Sequence, residues 1–120
     1  MSEQEFNSYL ATVDISCNGH EIKSRWFFSV DEGWLQLIHD LIVDLFRLGW
    51  DGDLEQCKEK FGGLRFYIGG ASSEIYDAIS RYENQSFKVC EKCGQTGSNR
   101  LKGNWMKTLC ENHAKELGYE

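Results

Sequence analysis

Two short pairs of metal-ligating side chains near the carboxyl end constrain this chain more than any other feature. Cys90-Glu91-Lys92-Cys93 is followed, after sixteen residues, by Cys110-Glu111-Asn112-His113, giving a Cys-x2-Cys and a Cys-x2-His. Three thiolates and one imidazole saturate a tetrahedral ion of soft or borderline character, and zinc is the expected one. Such a set is closed. No position is left for an activated water, so the expectation is one structural Zn2+ on Cys90, Cys93, Cys110 and His113, without hydrolytic chemistry. The alternative reading is three buried thiols and a surface histidine. The remaining cysteines, Cys17 and Cys57, make the count odd, which speaks against a disulfide framework.

The flanks suit a small metal module over residues 87–120. Gly94 permits a tight turn after the first pair, and Thr108 is placed to cap a helix starting near Leu109. That helix carries Cys110, His113 and Leu117 on one face and ends at Gly118. A knuckle, a loop or hairpin from Gly97 to Trp105, and a helix donating the last ligands form a treble-clef-like pattern. A segment below about 40 residues rarely folds without a staple, and the ion supplies one.

The rest reads as an α+β body over residues 1–86. Tyr9, Ala11, Val13, Ile15 and Cys17 alternate with mostly polar residues, Asn18-Gly19 is a strong type I′ turn signal, and Ile22, Trp26, Phe28 and Val30 resume the alternation. This predicts a β-hairpin over 9–30, with Ile15 opposite Ile22, Ala11 opposite Trp26 and Cys17 a small core residue. Asp31 is the expected N-cap of a helix whose stripe is Trp34, Leu37, Ile38, Leu41, Leu45 and Leu48, with Gln36, Asp40, Asp44 and Arg47 opposite and Gly49 as the stop. His39, at the border of the two faces, is expected to be structural.

A second hairpin is predicted over Leu54 to Ile68. With Gly62-Gly63 as the turn, Phe61 meets Leu64, Glu59 meets Phe66, Cys57 meets Ile68 and Lys60 faces Arg65. Lys58, Lys60, Arg65 and Tyr67 then share the outer face, as a wet surface or as a site for an anionic group. Glu59 falls on the apolar row, paired with Arg25 or Arg47 or lying at an edge. A further helix runs from Ser72 or Ser73 to about Ser86, with Ile75, Tyr76, Ile79 and Tyr82 toward a sheet. The predicted fold is thus two antiparallel hairpins, two packing helices and a treble-clef-like zinc module.

Charge divides unevenly. Residues 1–85 carry 7 basic and 15 acidic side chains, −8, and residues 86–120 carry 6 and 4, +2. Three thiolates and a divalent ion bring the second figure to about +1. Arg100, Lys102 and Lys107 beside Trp105 form a candidate phosphate-contact and base-stacking surface, or Trp105 covers the module's small core. A pI near 5.1 is the reverse of a nucleic-acid binder's footprint. An acidic body suits a basic protein surface instead. The longest apolar stretch, Trp34 to Trp50, is broken by His39, Asp40, Asp44 and Arg47, so no membrane span is expected. The acidic start Ser2-Glu3-Gln4-Glu5 lacks the basic and apolar regions of a secretory signal, and the expected location is cytoplasmic.

The run Lys58-Glu59-Lys60-Phe61-Gly62-Gly63-Leu64-Arg65-Phe66-Tyr67, followed by Cys90-x2-Cys93-Gly94 and Trp105-x2-Thr108-Leu109-Cys110-x2-His113, resembles a family of small bacteriophage and prophage proteins. The resemblance covers about residues 33–117 and leaves out the segment 9–30. It implies phage provenance and zinc rather than an activity, and a bacterial cytoplasm as the setting. By analogy with small phage proteins, the expected role is non-enzymatic binding of a host protein or nucleoprotein, including a component of antiviral defence. Direct nucleic-acid binding by a zinc finger using Arg100, Lys102 and Lys107, with Lys58, Lys60 and Arg65 as further candidates, is the second expectation. A nuclease built on a treble clef would need a further histidine site, and neither His20 nor His39 has neighbours of that pattern.

Overall fold

A computed structural model describes residues 1–16 and 26–120. The chain is α+β, with α1 (Glu3–Ser16), β1 (Phe28–Ser29), a 3-10 turn (Glu32–Trp34), α2 (Leu35–Arg47), β2 (Leu54–Lys60), β3 (Gly63–Ile68), α3 (Ser73–Ser86), β4 (Ser98–Lys102), β5 (Trp105–Leu109) and α4 (Glu111–Leu117). β1, β2 and β3 form one small sheet in that order, and β4 and β5 form a separate hairpin. None of the helices among the described residues is long and apolar enough to cross a membrane.

The core lies between α2, α3 and the inner face of the sheet. Trp34, Ile38, Leu41, Ile42 and Leu45 are buried against Leu64, Phe66 and Ile68 of β3 and against Ile75, Ala78 and Ile79 of α3. Each such side chain contributes roughly 1.5–3 kcal/mol by leaving water. The stripe expected of α2 therefore holds, except that Leu48 is exposed beyond the helix end. Asp31 does not cap with its side chain; its carboxylate lies 3.0 Å from Lys92 Nζ, and a turn of 3-10 helix precedes α2. Ser72 caps α3 by accepting from the Ile75 N–H. Tyr76 is 44% exposed rather than packed on the sheet, and the Tyr82 hydroxyl donates to Asp44 on α2.

The described residues do not form the amino-terminal hairpin. Tyr9, Ala11, Val13 and Ile15 belong to α1, so Ala11 cannot pair with Trp26; Cys17, the Asn18-Gly19 turn and Ile22 lie outside the described residues. Two local signals outweigh the alternation. Ser2 Oγ accepts from the Glu5 N–H at 3.1 Å, one half of a capping box, and Phe6, Tyr9 and Leu10 recur at helical spacing and pack on the core. Phe6 meets Phe28 edge-on at 5.1 Å, and the Tyr9 ring meets His39 at 4.1 Å. Among the described residues of the second predicted strand, Phe28–Ser29 is a strand, paired in parallel with Cys57 and Lys58 of β2.

The β2–β3 hairpin is antiparallel but two residues out from the predicted register. Glu59 faces Leu64, Lys58 faces Arg65 and Cys57 faces Phe66. The turn is Phe61-Gly62, both at positive φ (53° and 79°), the type I′ signature. Gly62 is required there because a Cβ would strike Asn99 Nδ2 and come within 3.2 Å of the Lys107 backbone. A two-residue slip preserves parity, so the predicted faces survive. Phe61 pays a conformational cost in the left-handed region that asparagine largely avoids. Phe61→Asn is expected to raise stability by about 1 kcal/mol, read as a higher urea midpoint at constant m value.

Candidate metal centre

The first ligand pair is set by a knuckle between α3 and β4. The Gly94 N–H donates to the Cys90 carbonyl at 2.9 Å and Gly94 adopts φ 79°, closing the turn its sequence position predicted. The second pair sits at the start of α4. Cys110 itself is the N-cap, its Sγ accepting from the His113 N–H at 3.4 Å; Thr108, the predicted cap, lies in β5 instead. Gly118 ends α4 at φ 79° as expected.

These elements bring Cys90, Cys93, Cys110 and His113 together, with their ligand atoms all within 4.8 Å of one another. Cys93 Sγ is 3.8 Å from Cys110 Sγ, and His113 Nδ1 is 3.7 Å from Cys90 Sγ and 3.2 Å from Cys110 Sγ. Sulfur and nitrogen ligands at about 2.3 and 2.0 Å from a tetrahedral ion would stand ~3.5–3.8 Å apart, close to these separations. A disulfide would need sulfurs about 2.05 Å apart, so these thiols are free. The four residues can hold one metal ion.

Acidity within the cluster is uneven. The His113 N–H pulls the Cys110 thiol down to about 6, whereas burial, with the sulfurs of Cys90 and Cys110, pushes Cys93 up to about 11. An ion bound here replaces thiol protons, as metal–thiolate bonding requires.

The residue that organises the surroundings escaped the sequence reading. Glu91, between the first two ligands, is 1% exposed and accepts from the Thr108 N–H at 2.7 Å and from Lys107 Nζ at 3.4 Å. Burial raises its carboxyl above the ordinary range, and the Thr108 N–H and Lys107 oppose that rise. Burial pulls Lys107 down, but Glu91, Glu59 and Asp31 together hold it above its usual value. A glutamate inside a Cys-x2-Cys carries no periodicity signal, and only its partners across the hairpin reveal the role.

The same atoms attach the module to the body. The Thr108 hydroxyl donates to the Gly62 carbonyl at 2.6 Å, the Gly33 N–H to the Glu91 carbonyl at 2.8 Å, and Trp34 Nε1 to the Val89 carbonyl at 2.9 Å. Glu59 pairs with neither Arg47 nor any other described cation at ion-pair distance. Its carboxylate accepts from the Gly62 N–H at 2.7 Å and so fastens the turn on which β5 rests; Arg25 lies outside the described residues.

The predicted basic surface is divided. Arg100 Nε donates to the Leu109 carbonyl, Lys102 Nζ to the Leu117 carbonyl at the end of α4, and Lys107 is engaged by Glu91. Trp105 does not cover the module's core. It is 74% exposed, and that core consists of Cys90, Leu109 and Ala114 with Cys110, Leu117 and Tyr119 against them. Lys58, Lys60, Arg65 and Tyr67 do share the outer face of the sheet.

The molecule is therefore an α+β protein whose carboxyl-terminal knuckle, hairpin and helix present a Cys3His cluster fit for one metal ion. Comparison with protein-family models, with curated proteins and with solved structures returns no match.

Proposed function

We propose that this chain is a zinc-stapled, non-enzymatic module that binds a protein partner. One observation carries the reading: four potential ligand atoms, enough to fill a tetrahedral ion's coordination, converge beside the seam where module and body meet. Zinc follows from the donor set, since three thiolates and an imidazole suit it above harder ions, and its work at a saturated site is structural. The order knuckle, hairpin, helix matches a treble clef.

The acidic body offers the contact. A groove of about 650 Å³ runs between the start of the chain, α2 and the knuckle, lined by Leu37 and Val89 with exposed Glu32 and Asp40 at its margin. Lys92 also borders it, but its ammonium is taken by Asp31. A mixed lining with acidic margins suits a basic protein segment, and charge of this kind governs encounter and specificity. The resemblance to phage proteins makes a bacterial host protein or nucleoprotein the partner, a component of antiviral defence among the candidates.

Affinity purification from bacterial lysate, with metal analysis of the same sample, tests this. The wild-type chain should carry one zinc and retain a partner that the double variant Glu32→Lys/Asp40→Lys loses at unchanged zinc content. Recovery of nothing at micromolar bait, or equal recovery by the charge-reversed variant, would overturn the reading.

A further inference from the structure

We propose that the outer face of the β2–β3 hairpin binds single-stranded nucleic acid. This goes beyond the protein-binding reading and uses a different face.

Cations elsewhere on the described chain are mostly committed. Arg47, Lys92, Lys107 and Lys115 pair with carboxylates, and Arg100 and Lys102 donate to carbonyls. Lys58, Lys60 and Arg65 differ. Among the described residues none of the three has a carboxylate within ion-pair distance, although the chain carries six net negative charges. Lys58 stands directly opposite Arg65 in the ladder, with Lys60 two residues farther along the same face. Like charges directly opposite one another destabilise a sheet, so folding does not account for this row. An anion laid along it would relieve the repulsion.

Aromatic rings flank the row and decide which anion. Tyr67, opposite Gln56, is 41% exposed at one end; Phe61, in the turn, is 60% exposed at the other. Lys58 Nζ lies 6.0 Å from the centre of the Tyr67 ring and Lys60 Nζ 5.7 Å from that of Phe61. Phe61 also occupies a left-handed conformation where glycine or asparagine would be easier. A strained, exposed ring beside a cation is retained against stability, which points to use. An acidic polypeptide would satisfy the cations alone. Unstacked bases satisfy the rings too, with phosphates along Lys58, Arg65 and Lys60. Rings exposed at both ends of the row can stack on unpaired bases, whereas a duplex keeps its bases stacked on one another, so the strand is single.

The test is fluorescence anisotropy of the full-length, metal-loaded chain with a labelled twelve-nucleotide oligothymidine, titrated between 50 and 300 mM salt. Three phosphate contacts predict a dissociation constant of roughly 10⁻⁵ M at the low end and a log–log salt slope of about −2. Lys58→Gln and Arg65→Gln should each flatten the slope by about 0.7. Phe61→Asn should weaken binding roughly tenfold at unchanged slope while its unfolding midpoint rises, which separates lost stacking from lost structure. Three results would overturn the proposal. They are no anisotropy change at 100 μM chain and 50 mM salt, affinity for a duplex equal to or above that for the single strand, and competition by polyglutamate matching unlabelled oligonucleotide while Phe61→Asn binds as wild type. The last would assign the face to an acidic polypeptide. The Glu32→Lys/Asp40→Lys variant lies outside this row, so failure here leaves the groove reading untouched.

Discussion

Removing the metal is expected to melt residues 87–120 while α2 and α3 persist. The module's own buried core is Cys90, Leu109 and Ala114, and Glu91, which sits between ligands, accepts from the Thr108 N–H within the module and from the Gly33 N–H across the seam. Structural zinc contributes on the order of 10–16 kcal/mol in small modules, more than so few apolar contacts replace. A tight chelator, or Cys93→Ser, should abolish stoichiometric zinc, expose the β4–β5 hairpin to trypsin at Lys102 and Lys107, and shift Trp34 fluorescence as its bond to the Val89 carbonyl is lost. Cys57→Ala is the control. Cys57 is buried in β2, and burial raises its thiol far above the ordinary value, so zinc content should not change. Freshly purified protein without zinc, or a chelated chain with unaltered circular dichroism and tryptic pattern, would remove the staple from the account.

The second large effect is expected at a residue outside both ligand motifs. Gly33, in the 3-10 turn before α2, carries no Cβ where one would collide with the Cys90 carbonyl oxygen and lie 2.5 Å from the Glu91 carbonyl carbon. Both obstacles are backbone. No rotamer relieves them, so Gly33→Ala must push the knuckle off the body and strain the Gly33 N–H bond to Glu91. Overpacking at a rigid contact costs about 3 kcal/mol, a fall in melting temperature of roughly 10 °C or more for a domain of this size. Because the displaced atoms belong to Cys90, zinc affinity should fall in parallel. Gly70→Ala, where a Cβ meets nothing within 4 Å, should leave melting and zinc competition nearly unchanged. Equal behaviour of the two variants in calorimetry would show that the seam between 3-10 turn and knuckle is not rigid.

The two motifs singled out in the sequence are linked by contact. The Phe61-Gly62 turn presents a carbonyl to Thr108 and leaves room for the Lys107 backbone, so the hairpin motif is the platform for the strand that leads into Cys110. Glu59 fastens the turn and Glu91 fastens β5. Glu59, which fell on an apolar row, and Glu91, which carried no signal in the sequence, are the polar bolts of one joint.

Periodicity was informative where one face is buried and misleading where two periods compete. The stripe of α2 and, in α3, the cap with Ile75, Ile79 and Tyr82 were legible because burial repeats every three to four residues, whereas Tyr76 points outward. Residues 9–15 satisfy a two-residue alternation, yet Phe6, Tyr9 and Leu10 with the Ser2 cap satisfy a helix, and packing against α2 selects the helix. In the β2–β3 hairpin, alternation assigns faces but cannot distinguish registers two residues apart. The choice fell to Phe61-Gly62 because Gly62 lies against β5, and Gly63 lies against the Phe87 ring, contacts no local pattern contains.

By itself the amino-acid order determined which four residues can hold an ion, because each Cys-x2 pair lies within one turn and its spacing is a local property. It also determined which faces of α2, β2 and β3 turn inward. Only the tertiary structure decided where the knuckle docks, that Glu91 is buried, and that Arg100, Lys102 and Lys107 are spent on the fold while Lys58, Lys60 and Arg65 are not. Those outcomes rest on hydrogen bonds and close approaches between groups far apart in sequence, such as Gly33 with Glu91, and such pairings exist only once the chain has closed on itself.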